Sequence, residues 1–224
     1  SIGTLAARRT AMAFAAKTSP KTTEPAGSTK ARILSAAQEV FAVKGFDGAS
    51  TREIAARAGV NISSLHYHWD SKETLYRAIF ERIYQQLGEL LKDVVEGPRT
   101  GDGHETVRRS MGLIFDFYVA NPTIPRLLMR RIMETDGSDE ASERDVLGQP
   151  WQTFAQWVRQ GAGAGLPEQD IKFFMLAVQC VMLVLMLDSP HVSAMLDGSV
   201  KDEAVRERLR GQVTRLVEKL IGLS

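Results

Sequence analysis

The stretch from Ser50 to Trp69 constrains this chain more than any other. Ser50 followed three positions later by Glu53 predicts a capping box and a helix opening at Thr51: the hydroxyl accepts from the Glu53 amide and the carboxylate reaches back. Ile54, Ala55 and Ala58 give that helix a small-residue inner face. Gly59 can adopt the left-handed conformation that ends it, and Val60 fills the angle before the next element. Asn61 is a good N-cap for a second helix. Leu65 and Trp69, four apart, share one face and point inward. Ile62, Ser63, Ser64, His66, Tyr67 and His68 are then left to meet a partner. Two short helices joined by a glycine turn, the second presenting polar and aromatic groups outward, make a helix-turn-helix, the arrangement that enters the DNA major groove. A helical hairpin inside an unrelated bundle is the other reading, but it needs no such row of exposed hydrogen-bonding groups.

The flanks extend the pattern. Upstream, Ile33, Leu34, Ala37, Val40 and Phe41 form a helical stripe closed by Lys44-Gly45-Phe46-Asp47-Gly48. Downstream, Asp70-Ser71-Lys72-Glu73 offers a fresh cap for a long helix carrying Leu75, Ile79, Ile83, Leu87 and Leu90. The opening helix ending in Gly45-Phe46, Thr51-Arg52-Glu53-Ile54-Ala55, Ala58-Gly59-Val60, Leu65-His66-Tyr67-His68-Trp69 and Ser71-Lys72-Glu73 together resemble the TetR family of bacterial transcriptional regulators. The resemblance runs from Thr29 to Phe80 and lies in the pattern as a whole. It departs at His66, where the family has tyrosine, and at Trp69, where phenylalanine is usual; both keep a ring.

At 224 residues, the chain can hold a small DNA-reading module plus a larger second domain. It is 44% hydrophobic and 25% charged, which is ordinary for a globular protein. A formal charge of +1 means that nucleic-acid binding must come from a local patch, not from a polycation. The single cysteine, Cys180, excludes an intrachain disulfide and any cysteine-based zinc site, and fits a reducing cytoplasm. The apolar run Phe173–Leu187 is shorter than the roughly 20 residues of a membrane span, so no membrane is expected. Residues 1–28 are rich in Ala, Thr, Ser and Pro, with Arg8, Arg9, Lys17 and Lys21 against Glu24. They read as a flexible basic arm, either simply disordered or reaching DNA phosphate.

The fold class expected is all-α: a three-helix helix-turn-helix head at 29–71 and a helical bundle domain at 72–224, about nine helices in total. After Gly97-Pro98, Asp102 with Glu105 caps a helix with Val107, Met111, Ile114, Phe115 and Tyr118 on one stripe. Asn121 is expected as N-cap of the next helix with Pro122 in its first position; that helix carries Leu127, Leu128 and Ile132. Thr135–Asp145 reads as a loop, followed by a helix through Trp151, Phe154, Trp157 and Val158. The glycine run at 161–165 follows a helix and no strand, so it is not a dinucleotide fingerprint. Residues 168–187 are apolar almost all round and must be buried on more than one side. Residues 202–222 carry Val205, Leu209, Val213, Leu216 and Leu220 on one face.

The resemblance implies a homodimer in which the last two helices pack against their symmetry mates; Leu183, Leu187, Val205, Leu209, Val213, Leu216 and Leu220 are the interface candidates. Two recognition helices about 34 Å apart would then read a palindromic operator. Arg52, Ile62, Ser63 and Ser64 are the candidate base contacts: arginine suits guanine, serine several base edges, and isoleucine a thymine methyl. Thr51, Tyr67, His68 and Lys72 fall where the family binds phosphate, joined by His66; such contacts fix register without reading sequence. His66 and His68 lie two apart on different faces of a helix, which rules against a metal pair. The resemblance also makes the second domain a sensor of a small-molecule effector, with the long helix from Lys72 as lever. Phe115, Tyr118, Leu128, Met129, Trp151, Phe154, Phe174 and Met175 are candidate lining, with Asp116, Arg130 and Gln179 as polar anchors. All of these are equally of the kind that only fills a core. No cofactor or metal is expected.

The function expected is therefore a cytoplasmic, bacterial, sequence-specific regulator, a repressor released from its operator by a ligand. An architectural DNA binder without a sensor is the alternative. An all-helical enzyme is disfavoured by the want of any nucleophile–base or ligand cluster among four histidines, two of them inside the motif.

Overall fold

The computed structural model describes residues 27–96, 103–133, 155, 158, 159 and 167–221. Every regular element among them is an α-helix: α1 Thr29–Gly48, α2 Thr51–Ala58, α3 Ile62–His68, α4 Lys72–Glu96, α5 Gly103–Ala120, α6 Thr123–Met133, α7 Glu168–Met186, α8 Pro190–Met195 and α9 Glu203–Leu220. The arm, Asp102, the 135–145 loop, Trp151, Phe154, Trp157 and the 161–165 glycine run lie outside the described residues. The chain divides into two compact units, one containing residues 27–89 and 126–133, the other 90–125 and 167–221. The division differs from the boundary expected at 71/72: most of α4 and most of α6 belong with the reading head.

In the first unit, Ser28 caps α1 by accepting from the Ala31 amide, and Ile33, Ala36, Ala37, Val40 and Phe41 are buried at helical spacing. Gly45, at φ 73°, breaks the helical path before the last turn. Phe41, Phe46, Tyr76 and Phe80 then form a ring cluster linking α1 to α4, with successive centroids 4.9–6.0 Å apart. Leu75, Ile79 and Ile83 of α4 are fully buried beside them. Burying one such leucine or isoleucine is worth about 1.5–3 kcal/mol, so this face of α4 anchors the unit.

The second unit packs α9 against α5 and α7. Val107, Met111, Phe115 and Tyr118 of α5 meet Leu209, Val213 and Val217 of α9 and Ile171, Phe174 and Leu183 of α7 as its buried core. Two of its buried hydroxyls are satisfied within their own helices, Ser110 donating to the Thr106 carbonyl and Thr214 to that of Arg210. Helix α7 is longer than the apolar run read from sequence, and by length and composition alone it is apolar enough to cross a membrane. Its buried residues account for one side of that character. Phe173, Leu176 and Val184 remain exposed on the single chain.

Two features of the connections go beyond the sequence reading. The Asn121 side-chain nitrogen donates backward to the Phe117 carbonyl at 2.8 Å, closing α5, while its own carbonyl accepts from the Ile124 amide in the first turn of α6, which begins at Thr123. Between α7 and α9 lies an extra short helix, α8, capped by Ser189. It is anchored by Asp188, whose carboxylate accepts from Ser199 and pairs with Lys201 at 2.7 Å.

Candidate nucleic-acid interface

Each cap in the motif can be traced to one residue. Ser50 Oγ accepts from the Glu53 amide at 3.2 Å, so the hydroxyl half of the expected capping box forms. The carboxylate half does not: Glu53 pairs instead with Lys44 of α1 at 2.8 Å. Gly59 sits at φ 66°, ψ 38°, and its amide reaches the Ala56 carbonyl while Val60 reaches Ala55. These two bonds are a Schellman ending, and they need a left-handed residue at position 59. Asn61 Oδ1 then accepts from the Ser64 amide at 2.7 Å, starting α3. Ile54, Ala55 and Ala58 seat α2, and Leu65, fully buried, seats α3.

With Leu65 inward, the opposite side of α3 faces out. Ser63, His66 and Tyr67 are exposed, Tyr67 to 85%, and Ile62 lies at the margin of exposure. Ser64 is half-buried with its amide already capped. His68 is half-buried, its ring edge-on to Tyr67 at 5.1 Å. Arg52 is exposed at the second position of α2 and, among the described residues, makes no ion pair, while Thr51 beside it is half-buried. The neighbouring cations are committed elsewhere: Arg57 of α2 to Glu39 and Lys44 to Glu53. The charge left at the start of α2 is thus that of Arg52.

Lys72 faces inward more than its expected role implies. Its ammonium donates to the Phe46 carbonyl at 2.9 Å and the Ala49 carbonyl at 3.3 Å, and lies 4.2 Å from the centre of the Phe46 ring. Two of its three N–H donors are therefore used, leaving one for a phosphate. Trp69 is half-buried as expected, with Lys30 5.3 Å from its ring centre. Sequence reasoning missed Lys30, and spacing could not reveal a neighbour 39 positions away. At the head of α4, Ser71 and Thr74 exchange hydrogen bonds at 3.1 Å in each direction. The adjacent Glu73 carboxyl is held below its ordinary value by its own backbone amide and by Ser71.

Residues 33–79 match the family model described as bacterial regulatory proteins, tetR family. Over this head the chain is similar to the tetR family of bacterial regulators. Over 167 residues the chain is 26% identical to the HTH-type transcriptional repressor NicS of Pseudomonas putida, covering 70% of this chain and 76% of that one. It is 35% identical over 93 residues to the HTH-type transcriptional activator FasR of Mycolicibacterium smegmatis, a match spanning 42% of either protein. The fold is similar to that of the fatty acid degradation regulator FadR from Bacillus halodurans, with a TM-score of 0.67 and 16% identity over 89% of this chain and 97% of that one.

Beyond that head, the described candidate effector residues are divided between the two units. Phe115, Tyr118, Phe174 and Met175 are buried in the second unit, with Gln179 half-buried there. Leu128 and Met129 belong to the first unit. Both proposed charged anchors are already engaged: Asp116 with Arg210 of α9, and Arg130 with carbonyls of α1. The interface candidates divide likewise. Leu183, Leu209 and Val213 are spent in the chain's own core, and Leu187 and Val205 are half-buried. Leu216 and Leu220 remain 40% and 49% exposed.

Proposed function

We propose that this protein is a sequence-specific DNA-binding transcriptional regulator that acts as a homodimer on a palindromic operator and is released by a small-molecule effector. The observation that carries the proposal is the outer face of α3: Ser63, His66 and Tyr67 are exposed on a helix fixed at its start by Asn61 and from beneath by Leu65, with Arg52, which makes no ion pair among the described residues, on the preceding helix. Arg52, Ser63, Ser64 and Ile62 read base edges, while Thr51, Tyr67, His66, His68 and Lys72 hold phosphate.

Leu216 and Leu220, with Phe173, Leu176 and Val184, provide the apolar surface for the second copy. The effector binds among Phe115, Tyr118, Phe174 and Met175, and acts only as far as it binds one separation of the two heads better than another. Helix α4, continuous from Lys72 to Glu96, is the lever. Repression is the reading favoured by the likeness to NicS, named a repressor, while FasR is named an activator. The site of action is the bacterial cytoplasm.

Titrating Arg52→Ala against cognate and scrambled duplexes tests the base-reading assignment. The cognate site should lose about 1–3 kcal/mol of binding, with little change on the scrambled one. Equal losses on both would remove Arg52 from the readers.

A further inference from the structure

The C-terminal end of α1 is built from carbonyls that its own helix cannot satisfy, because the last carbonyls of any helix lack an intrahelical donor and Gly45 turns the chain aside at φ 73°. Lys44, the cation nearest that end in sequence, is committed to Glu53. The end is held instead by two cations from other helices. Lys72 of α4 takes the Phe46 and Ala49 carbonyls. Arg130 of α6 takes the two before the break: Nε donates to the Ala42 carbonyl at 3.2 Å and Nη2 to the Val43 carbonyl at 2.8 Å. The planar guanidinium fork suits two successive acceptors in a way an ammonium does not. The next residue of α6 holds α4 instead, the Arg131 guanidinium lying 4.1 Å from the centre of the Phe80 ring.

The grip matters because α2 starts almost at once. Ala49 and Ser50 alone separate the end of α1 from α2, Ser50 is the N-cap of α2, and Thr51 and Arg52 come next. The position of the α1 end therefore sets where Arg52 starts. We infer that Arg130 is a positioning residue for DNA reading: its fork on Ala42 and Val43 fixes the end of α1, and through it the aim of Arg52. Arg130 touches no base itself. This makes α6 a second element, besides α4, whose displacement alters the reading head. The inference rests on the DNA-reading function proposed above.

The test uses the full chain with Arg130→Met and Arg130→Lys, alone and combined with Arg52→Ala, on a duplex selected from random DNA and on its scrambled counterpart. Arg130→Met is expected to lose about tenfold on the selected duplex, the scale of one charge-assisted hydrogen bond, and little on the scrambled one. Arg130→Lys recovers part of the loss, and in the Arg52→Ala background Arg130→Met adds almost nothing, because the two act through one contact. Additive losses, or equal losses on both duplexes, would overturn the inference. Amide exchange provides a readout without DNA. The Glu53 and Ile54 amides, which bond Ser50, should exchange about tenfold faster in Arg130→Met, or in Arg130→Lys to a lesser degree, while the Val213 amide in the second unit is unchanged. Unchanged exchange at Glu53 and Ile54 would overturn it as well. If the unmodified chain selects no duplex, the DNA-reading proposal fails, and exchange alone still decides whether Arg130 sets the start of α2.

Discussion

Gly59 joins the two helices of the motif through one backbone angle. At φ 66° its position would strain any residue with a Cβ, yet a Cβ built there meets nothing within 4 Å. Gly59→Ala should therefore cost about 1–2 kcal/mol from conformation alone, lowering Tm by a few degrees, and Gly59→Asn should cost less because asparagine tolerates that conformation. Equal losses for both would point to packing, contrary to the open space. Lys72 shows the opposite case. Ser50, Gly59 and Asn61 were legible because a cap acts on a neighbour two to four positions away, whereas the carbonyls Lys72 holds lie 23 and 26 positions back. Its role as a clamp predicts that Lys72→Met lowers Tm as well as DNA affinity. A side chain serving phosphate alone would leave Tm where it was.

Among the elements, α4 carries a pH dependence at its start. Glu73 is an acid whose value is lowered in the folded protein by its backbone amide and Ser71. Its contribution is fully present above the ordinary value of 4.5 and is lost as pH falls through the lowered folded value. Following Tm from neutral pH to about pH 2, Glu73→Gln should show a shallower acid decline than the unmodified chain; parallel curves would deny the helix-start assignment. Helix periodicity made α1 to α7 and α9 readable, with their buried stripes. Pairings between distant helices were not, since Arg130 on α1 and Arg210 on Asp116 leave no spacing signal. Asn121 serves both neighbours, its side-chain nitrogen closing α5 and its carbonyl opening α6, and the Asn-Pro signal showed only the second.

At the scale of the molecule, several large apolar side chains of the last long helices stay exposed among the described residues. Phe173, Leu176 and Val184 of α7, the helix whose all-round apolarity called for burial on more than one side, and Leu216 and Leu220 of α9 are exposed on the single chain. If a second copy covers them, Leu216→Asp with Leu220→Asp should turn a two-chain species into a one-chain species by sedimentation, leaving the helical circular dichroism intact. A dimer that survives both changes would place the interface elsewhere. Sequence could not separate buried from exposed positions on one helical stripe: Leu209 and Val213 went to the core and Leu216 and Leu220 did not. The central claim, a twofold molecule that reads DNA through α2 and α3, is tested most directly by selecting preferred duplexes from random DNA with the full chain. Enrichment of an inverted repeat is predicted, with half-site centres about 10 base pairs, or a multiple of that, apart. No enrichment, or a single asymmetric site bound by one chain, would contradict it.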